Sequence, residues 1–192
     1  MPSAPKTEEF KKLIARLDSS CIQHFQGAMN LCVSRGHFEV GPDHLLMRML
    51  DEATGDVTAI FNTFKIDRVP LRRALQKVLD EMPSGHRGKP AVAPKLVELL
   101  ASAAVLGDEL GFEQIRSGLI LLALAINPTH TRVGELTTEL DRIDVDQLRD
   151  HFGEIVQAAP AAAAEEGRGP GGARPGGAAE GGALEQFTVD LT

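Results

Sequence analysis

Apolar residues recur along this chain at helical spacing, and turn residues cut the pattern into short units. Phe10, Leu13, Ile14 and Leu17 follow i, i+3, i+4, i+7 and predict a first helix over about residues 7–18. Asp18, Ser19 and Ser20 interrupt it, and Ser20 with Gln23 has the spacing of a capping box for a second helix. That helix is expected to end near Arg35, with Gly36 as its C′ residue. Gly41-Pro42 opens the next one, whose inner face is Leu45, Leu46, Met49 and Leu50. Asp56 and Asp67 read as caps of two more, and Pro83 to Pro90 reads as a loop.

After that loop the pattern begins again. Pro94 opens a helix that Gly111 closes, Ser117 caps a short apolar helix ended by Asn127-Pro128, and a helix is expected around Arg132 to Leu140. Asp144 with Gln147 caps a last helix carrying Leu148, Phe152, Ile155 and Val156. At an offset of 75 positions Ala28, Leu31 and Gly36 match Ala103, Leu106 and Gly111, and Val40, Leu45 and Leu46 match Ile115, Ile120 and Leu121. At an offset of 77, Ile66, Asp67, Leu71 and Arg72 match Ile143, Asp144, Leu148 and Arg149. Helical periodicity alone would align the apolar positions but not the caps and glycines. The expected fold is therefore all-α, a pseudo-twofold double repeat of a four-helix unit with an extra N-terminal helix. Repeat one spans about 19–82 and repeat two about 94–158, within a domain over 1–159.

Composition changes the picture at the C-terminal end. Residues 160–183 are almost wholly Ala, Gly and Pro and read as a flexible linker. Apolar residues return over 184–192, as if structure were about to resume. The net charge of −7 disfavours nucleic acid and anionic membrane surfaces. The N-terminus has no apolar stretch of a secretory signal, and the apolar run Leu119 to Ile126 is too short to span a bilayer. The expectation is a soluble, cytoplasmic protein. Cys21 and Cys32 lie on one helix about 16 Å apart, too far for a disulfide, and read as buried free thiols.

No catalytic or metal motif emerges. There is no phosphate-cradling GxxxxGK[ST], no GxSxG and no HExxH. The six histidines are scattered, with none paired at i+3 or i+4, and His44 reads as a packing or capping residue. Asp108-Glu109 and Glu8-Glu9 diverge on a helix and read as solvated surface. The chain is expected to bind no metal and no cofactor. The one element outside the repeat is the front helix, which either covers one end of the core or carries a special task.

Three stretches then resemble the amino-terminal domain of the Clp/Hsp100 family of AAA+ unfoldases. Gly41-Pro-Asp-His-Leu-Leu-Met-Arg-Met-Leu50 is similar to that family's G-x-E-H-L-L-x-x-L-L helix start. Arg116-Ser-Gly-Leu-Ile-Leu-Leu-Ala-Leu124 resembles its second-repeat counterpart, and residues 184–192 resemble the approach to its first ATPase module. Leu13-Ile-Ala-Arg-Leu-Asp18 and Pro94-Lys-Leu-Val-Glu-Leu-Leu100 are most similar to the ClpV branch, which serves type VI secretion. The resemblance implies a binding domain without catalysis of its own, monomeric in isolation and part of a hexamer in the full-length protein. ATP and Mg are implied only for ATPase modules that this chain lacks. The implied partner is an amphipathic helix at the N-terminus of the large sheath subunit (VipB/TssC type), gripped so that contracted sheaths are disassembled. The implied peptide-binding groove is Phe10, Leu13, Ile14 and Leu17 with Val92 and Leu96, where Val92 replaces a larger aromatic. The alternative is a ClpB- or ClpC-type domain that reads unfolded clients or an adaptor protein.

Overall fold

The computed structural model describes residues 4–157, with side chains from Glu8 onward. The stretches read as linker, 160–183, and as resuming structure, 184–192, lie outside the described residues. The front helix α1 is Ala4–Ala15. The first repeat follows as α2 (Ser19–Arg35), the short strand β1 (Glu39–Val40), α3 (Pro42–Met49), α4 (Asp56–Phe64) and α5 (Arg68–Asp80). The second repeat is β2 (Ala91–Val92), α6 (Pro94–Leu110), α7 (Ser117–Ile126), three single 3-10 turns, α8 (Val145–Asp150) and α9 (Phe152–Gln157).

Two helices form the centre, and they are repeat mates. In α3 every residue from Pro42 to Met47 is buried, and in α7 every residue from Ser117 to Leu124 is. A helix buried all round needs neighbours on every side. α2, α5 and α6 pack on α3, while α4, α6 and α8 pack on α7. Burial of these aliphatic side chains is the main driving force, at about 25 cal/mol per Å² of apolar surface.

Several helix ends follow the expected chemistry. Gly36 and Gly111 adopt left-handed backbone, φ 67° and 79°, at the ends of α2 and α6, where a Cβ would cost energy. The Asp67 carboxylate accepts the Val69 amide at 2.8 Å, and that of Asp144 accepts the Gln147 amide at 2.9 Å.

Other ends differ. The cap of α2 is Asp18, whose carboxylate accepts the Cys21 amide at 2.7 Å, rather than Ser20. Asp56 does not cap α4; it is the first residue of that helix and turns inward. The helix expected around Arg132 to Leu140 is replaced by 3-10 turns at Val133–Glu135 and Leu140–Arg142. Thr side chains explain this: Thr131 Oγ1 accepts the Val133 amide at 3.1 Å and Thr137 Oγ1 accepts the Glu139 amide at 3.4 Å. Local bonds of this kind offer the backbone an alternative to helix. The last helix is likewise broken at His151 into α8 and α9. The second repeat therefore keeps the positions of the first but not all its helices.

Candidate helix-binding site

α1 is fastened at its C-terminal end. The Ile115 amide donates to the Arg16 carbonyl at 2.7 Å, and the Asp18 amide donates to the Ile115 carbonyl at 3.0 Å. These two bonds make a parallel bridge between Leu17 and Ile115. The Arg16 guanidinium donates to both carboxylate oxygens of Asp108, at 2.6 and 3.2 Å, and to the Glu113 carbonyl at 3.1 Å. The hydrogen bond to Arg16 holds the Asp108 carboxyl below its usual range. At its middle, α1 sets the Phe10 ring against Phe25 of α2, with centroids 6.0 Å apart.

The same bridge exists once more. Val40 pairs in parallel with Val92, and the Ala93 amide donates to the Val40 carbonyl at 2.9 Å. Leu17 and Val92 are separated by the repeat offset, as are Val40 and Ile115. The end of α1 thus does for the first repeat what β2 does for the second. Only the helical part of α1 lacks a counterpart.

All six groove residues expected from sequence are interior. Phe10, Leu13, Ile14, Leu17, Val92 and Leu96 are at most 8% exposed. They belong to one continuous apolar core, but Leu17 and Val92 sit in separate bridges rather than facing each other across an open groove.

The open apolar surface lies elsewhere, on residues that the amphipathic pattern passed over. Ile22 and Val33 of α2 are 38% and 55% exposed, and Phe38 just beyond is 49% exposed. Gln26 is exposed between Ile22 and Val33, and Met29 is buried beneath them. Positions 22, 26, 29 and 33 are spaced by four, three and four, so they form one stripe. Its exposed flanks, Ser19, Gln23, Asn30 and Ser34, are also uncharged. The sequence signal for this face was the absence of charge along a surface helix.

A cleft of about 510 Å³ opens between the repeats, walled by Phe38, Pro42, Met82, Pro83, Pro94 and His130. On its floor His37 and His44 meet, 2.8 Å apart between Nδ1 and Nε2. The Gly41 amide donates to His44 Nδ1 at 3.1 Å, so the neutral His44 ring carries its proton on Nε2 and donates it to His37. Burial lowers the His44 pKa to about 4 and lowers that of His37 as well. His44 thus caps α3 as expected, but its pairing with His37 was invisible at a spacing of seven. Asp43 accepts from the Thr131 hydroxyl and from the Arg132 amide at 3.3 Å, and burial pushes its carboxyl up. Both thiols are free and buried, and burial raises the Cys32 pKa to about 11. Among the described residues no three His, Cys, Asp or Glu side chains group as metal ligands. No helix there is long and apolar enough to cross a membrane.

Known proteins share this architecture. Residues 16–140 match the Clp repeat (R) N-terminal domain, a match that begins just after α1. The N-domain of ClpV from Vibrio cholerae is similar, with TM-score 0.71 and 28% identity over 77% of this chain and 89% of that one. A complex of a ClpV N-domain with a VipB peptide is also similar, with TM-score 0.66 and 28% identity over 76% of this chain and 90% of that one. In sequence, the chaperone ClpB of Pseudomonas putida is 28% identical over 183 residues, 93% of this chain. The chain spans about a fifth (20%) of the length of that ClpB. A double helical repeat with this match over most of its length, and with ClpV N-domains among its structural neighbours, belongs to the Clp N-terminal domain family.

Proposed function

We propose that this chain is the substrate-reading domain of a ClpV-like AAA+ ATPase, and that it binds an amphipathic helix at the N-terminus of the large type VI sheath subunit. The observation that carries this is α1, which lies outside the family match and is fastened to the second repeat at Arg16 and Leu17. A ClpV N-domain of the same fold is known in complex with a VipB peptide. Sheath disassembly by the ATPase modules of the full-length, hexameric protein, in the cytoplasm, belongs to the same reading.

In this reading Phe10, Leu13, Ile14 and Leu17 hold α1 in place, while Val92 and Leu96 hold the start of α6. Together they set the walls between which the helix lies. The mode is helix-in-groove binding. Three or four apolar anchors at about 1.5–3 kcal/mol each are offset by lost freedom, which leaves affinity in the roughly micromolar range. A hexamer facing a repeating sheath gains avidity without further contacts.

The second reading, a ClpB-type domain that binds unfolded clients, is favoured by the ClpB relative in sequence. Competition separates the two. A labelled sheath-subunit N-terminal peptide is bound to the chain, then challenged with an unfolded model protein and with unlabelled peptide. The sheath reading expects displacement by peptide alone. Displacement by unfolded protein at equal or lower concentration supports the ClpB-type reading instead.

A further inference from the structure

Two buried histidines on the cleft between the repeats are each left with one ring N–H to give. For the first, hydrogen bonds run outward from the backbone. The Gly41 amide fixes the His44 proton on Nε2, and that proton goes to His37 Nδ1 at 2.8 Å. With Nδ1 accepting, the neutral His37 ring carries its own proton on Nε2. For the second, the Asn127 carboxamide sets the direction. Its oxygen accepts from the Thr129 amide at 3.3 Å and from the Thr129 hydroxyl at 2.6 Å, so its nitrogen donates to His130 Nε2 at 3.3 Å. The neutral His130 ring then carries its proton on Nδ1.

Neither outer N–H has an acceptor among the described residues. Yet His37 is only 4% exposed and His130 only 7%, and no fully enclosed side-chain nitrogen or oxygen among the described residues lacks a partner. Both N–H groups therefore meet open space, and the space that both rings line is the cleft. A donor held among apolar walls gains most from an acceptor that arrives without water.

The rest of the lining says what carries that acceptor. Pro42, Pro83 and Pro94 have no amide N–H, so these walls give a peptide strand nothing to pair with. Together with Phe38 and Met82 they suit an aromatic or aliphatic body. The Asp43 carboxylate is turned to Thr131 and the Arg132 amide, and the Arg132 guanidinium is answered by Glu81 at 3.3 Å. Exposed Lys95 gives one proton to the Thr129 carbonyl at 3.0 Å and keeps two for a ligand, across from Glu39 on the same lining.

We propose that the cleft binds a small apolar carboxylate, whose oxygens accept from His37 Nε2–H and His130 Nδ1–H beside Lys95 and whose hydrocarbon body lies against Phe38, Met82 and the prolines. A carboxylate only accepts, which matches two rings that only donate here. The cleft volume of about 510 Å³ falls in the usual range for small-molecule sites. A phosphate brings more charge than Lys95 balances and no body for the walls. The site is separate from the reading of a partner helix and does not rest on it.

The test uses the whole chain at neutral pH and phenylpropionate as the probe. Long-range proton–nitrogen correlation spectra of the histidine rings should show His37 protonated on Nε2 and His130 on Nδ1 before any ligand is added. The opposite tautomer at either ring overturns the proposal. Phenylpropionate is expected to shift both nitrogens saturably, with a Kd of roughly a millimolar, while the cation phenylpropylamine leaves them in place. His37→Asn keeps an acceptor for His44, and His130→Gln keeps one for Asn127, but each removes its N–H from the cleft. Each is expected to lose at least about fivefold in affinity at unchanged circular dichroism, and the surface variant Lys95→Gln at least about threefold. No saturable shift, an equal response to the amine, or unchanged affinity in the folded histidine variants overturns the site. Displacement of the probe by inorganic phosphate at lower concentration also overturns it, in favour of a phosphorylated ligand. If a histidine variant does not fold, the tautomers and Lys95→Gln decide.

Discussion

Asp56 accepts two hydrogen bonds from the guanidinium of Arg116, at 2.9 Å from Nε and 2.6 Å from Nη2. A third comes from the Gly118 amide at 3.3 Å. Asp56 opens α4 of the first repeat, and Arg116 precedes α7 of the second. The joint recurs with its partners exchanged. Asp43 stands at the offset from Gly118, and it accepts from Thr131, which stands at the offset from Asp56. Two carboxylates, one from each side of the first repeat, thus clamp the halves together.

Removing the Asp56 carboxylate leaves Arg116 and the Gly118 amide without their acceptor. Because Arg116 reaches toward solvent, the cost stays below that of a fully buried pair, at about 2–3 kcal/mol for Asp56→Ala. Thermal unfolding should show a Tm lower by roughly 5–10 °C. An unchanged Tm would mean that the joint does not stabilise the fold.

Gly118 of α7 is packed tightly against Asp56 of the first repeat and Phe152 of the second. A Cβ there would meet Asp56 Cβ and Phe152 Cζ, each at 3.0 Å. Gly118→Ala is expected to destabilise by about 1–3 kcal/mol. Gly134→Ala is the comparison, because a Cβ there meets nothing within 4 Å. Its unfolding midpoint in urea should stay close to wild type.

The histidine pair predicts a pH dependence. His44 has a folded pKa of about 4, below the ordinary 6.5, because burial disfavours the charged ring. The unfolded chain takes up the proton first. The contribution to stability is therefore complete above pH 6.5 and is lost as pH falls toward 4, by about 1.4 kcal/mol per pH unit for one proton. His37 shifts in the same direction, whereas burial of Asp43 raises its carboxyl and acts the opposite way at lower pH. Urea unfolding between pH 7 and 5 should show the loss in wild type and a flatter slope in His44→Gln.

Leu17 and Arg16 separate packing from surface charge at the end of α1. Leu17→Ala removes a core side chain and should cost about 2–4 kcal/mol. Arg16→Ala breaks a pair with an exposed carboxylate and should leave Tm almost unchanged. Differential scanning calorimetry of both variants checks the order. A charge placed at the buried Leu13 or Leu17 would disturb the fold itself.

The repeat was legible in the sequence because duplicated caps and glycines align with duplicated apolar positions. Gly36 and Gly111 are an example, each in the left-handed conformation that the alignment requires. The 3-10 turns after α7 were not legible, because threonine hydroxyls compete locally with helix where the apolar pattern alone favours it. The front helix is legible as amphipathic, but amphipathicity shows which face is buried, not whether the chain or a partner buries it. Phe10, Leu13, Ile14 and Leu17, the groove residues that the resemblance implies, are buried by the chain itself. The exposed apolar stripe of α2 is not legible in the sequence because its signal is a lack of charge, which marks no face by itself.

Anisotropy of a labelled sheath-subunit N-terminal helix peptide, titrated with the wild-type chain, tests the central claim most directly. The chain has no Trp or Tyr, so the label must sit on the peptide. The account predicts saturable one-to-one binding at roughly micromolar Kd, lost when the peptide's apolar face is made polar. No saturable binding at several hundred micromolar, or equal binding of the polar-faced peptide, would contradict it.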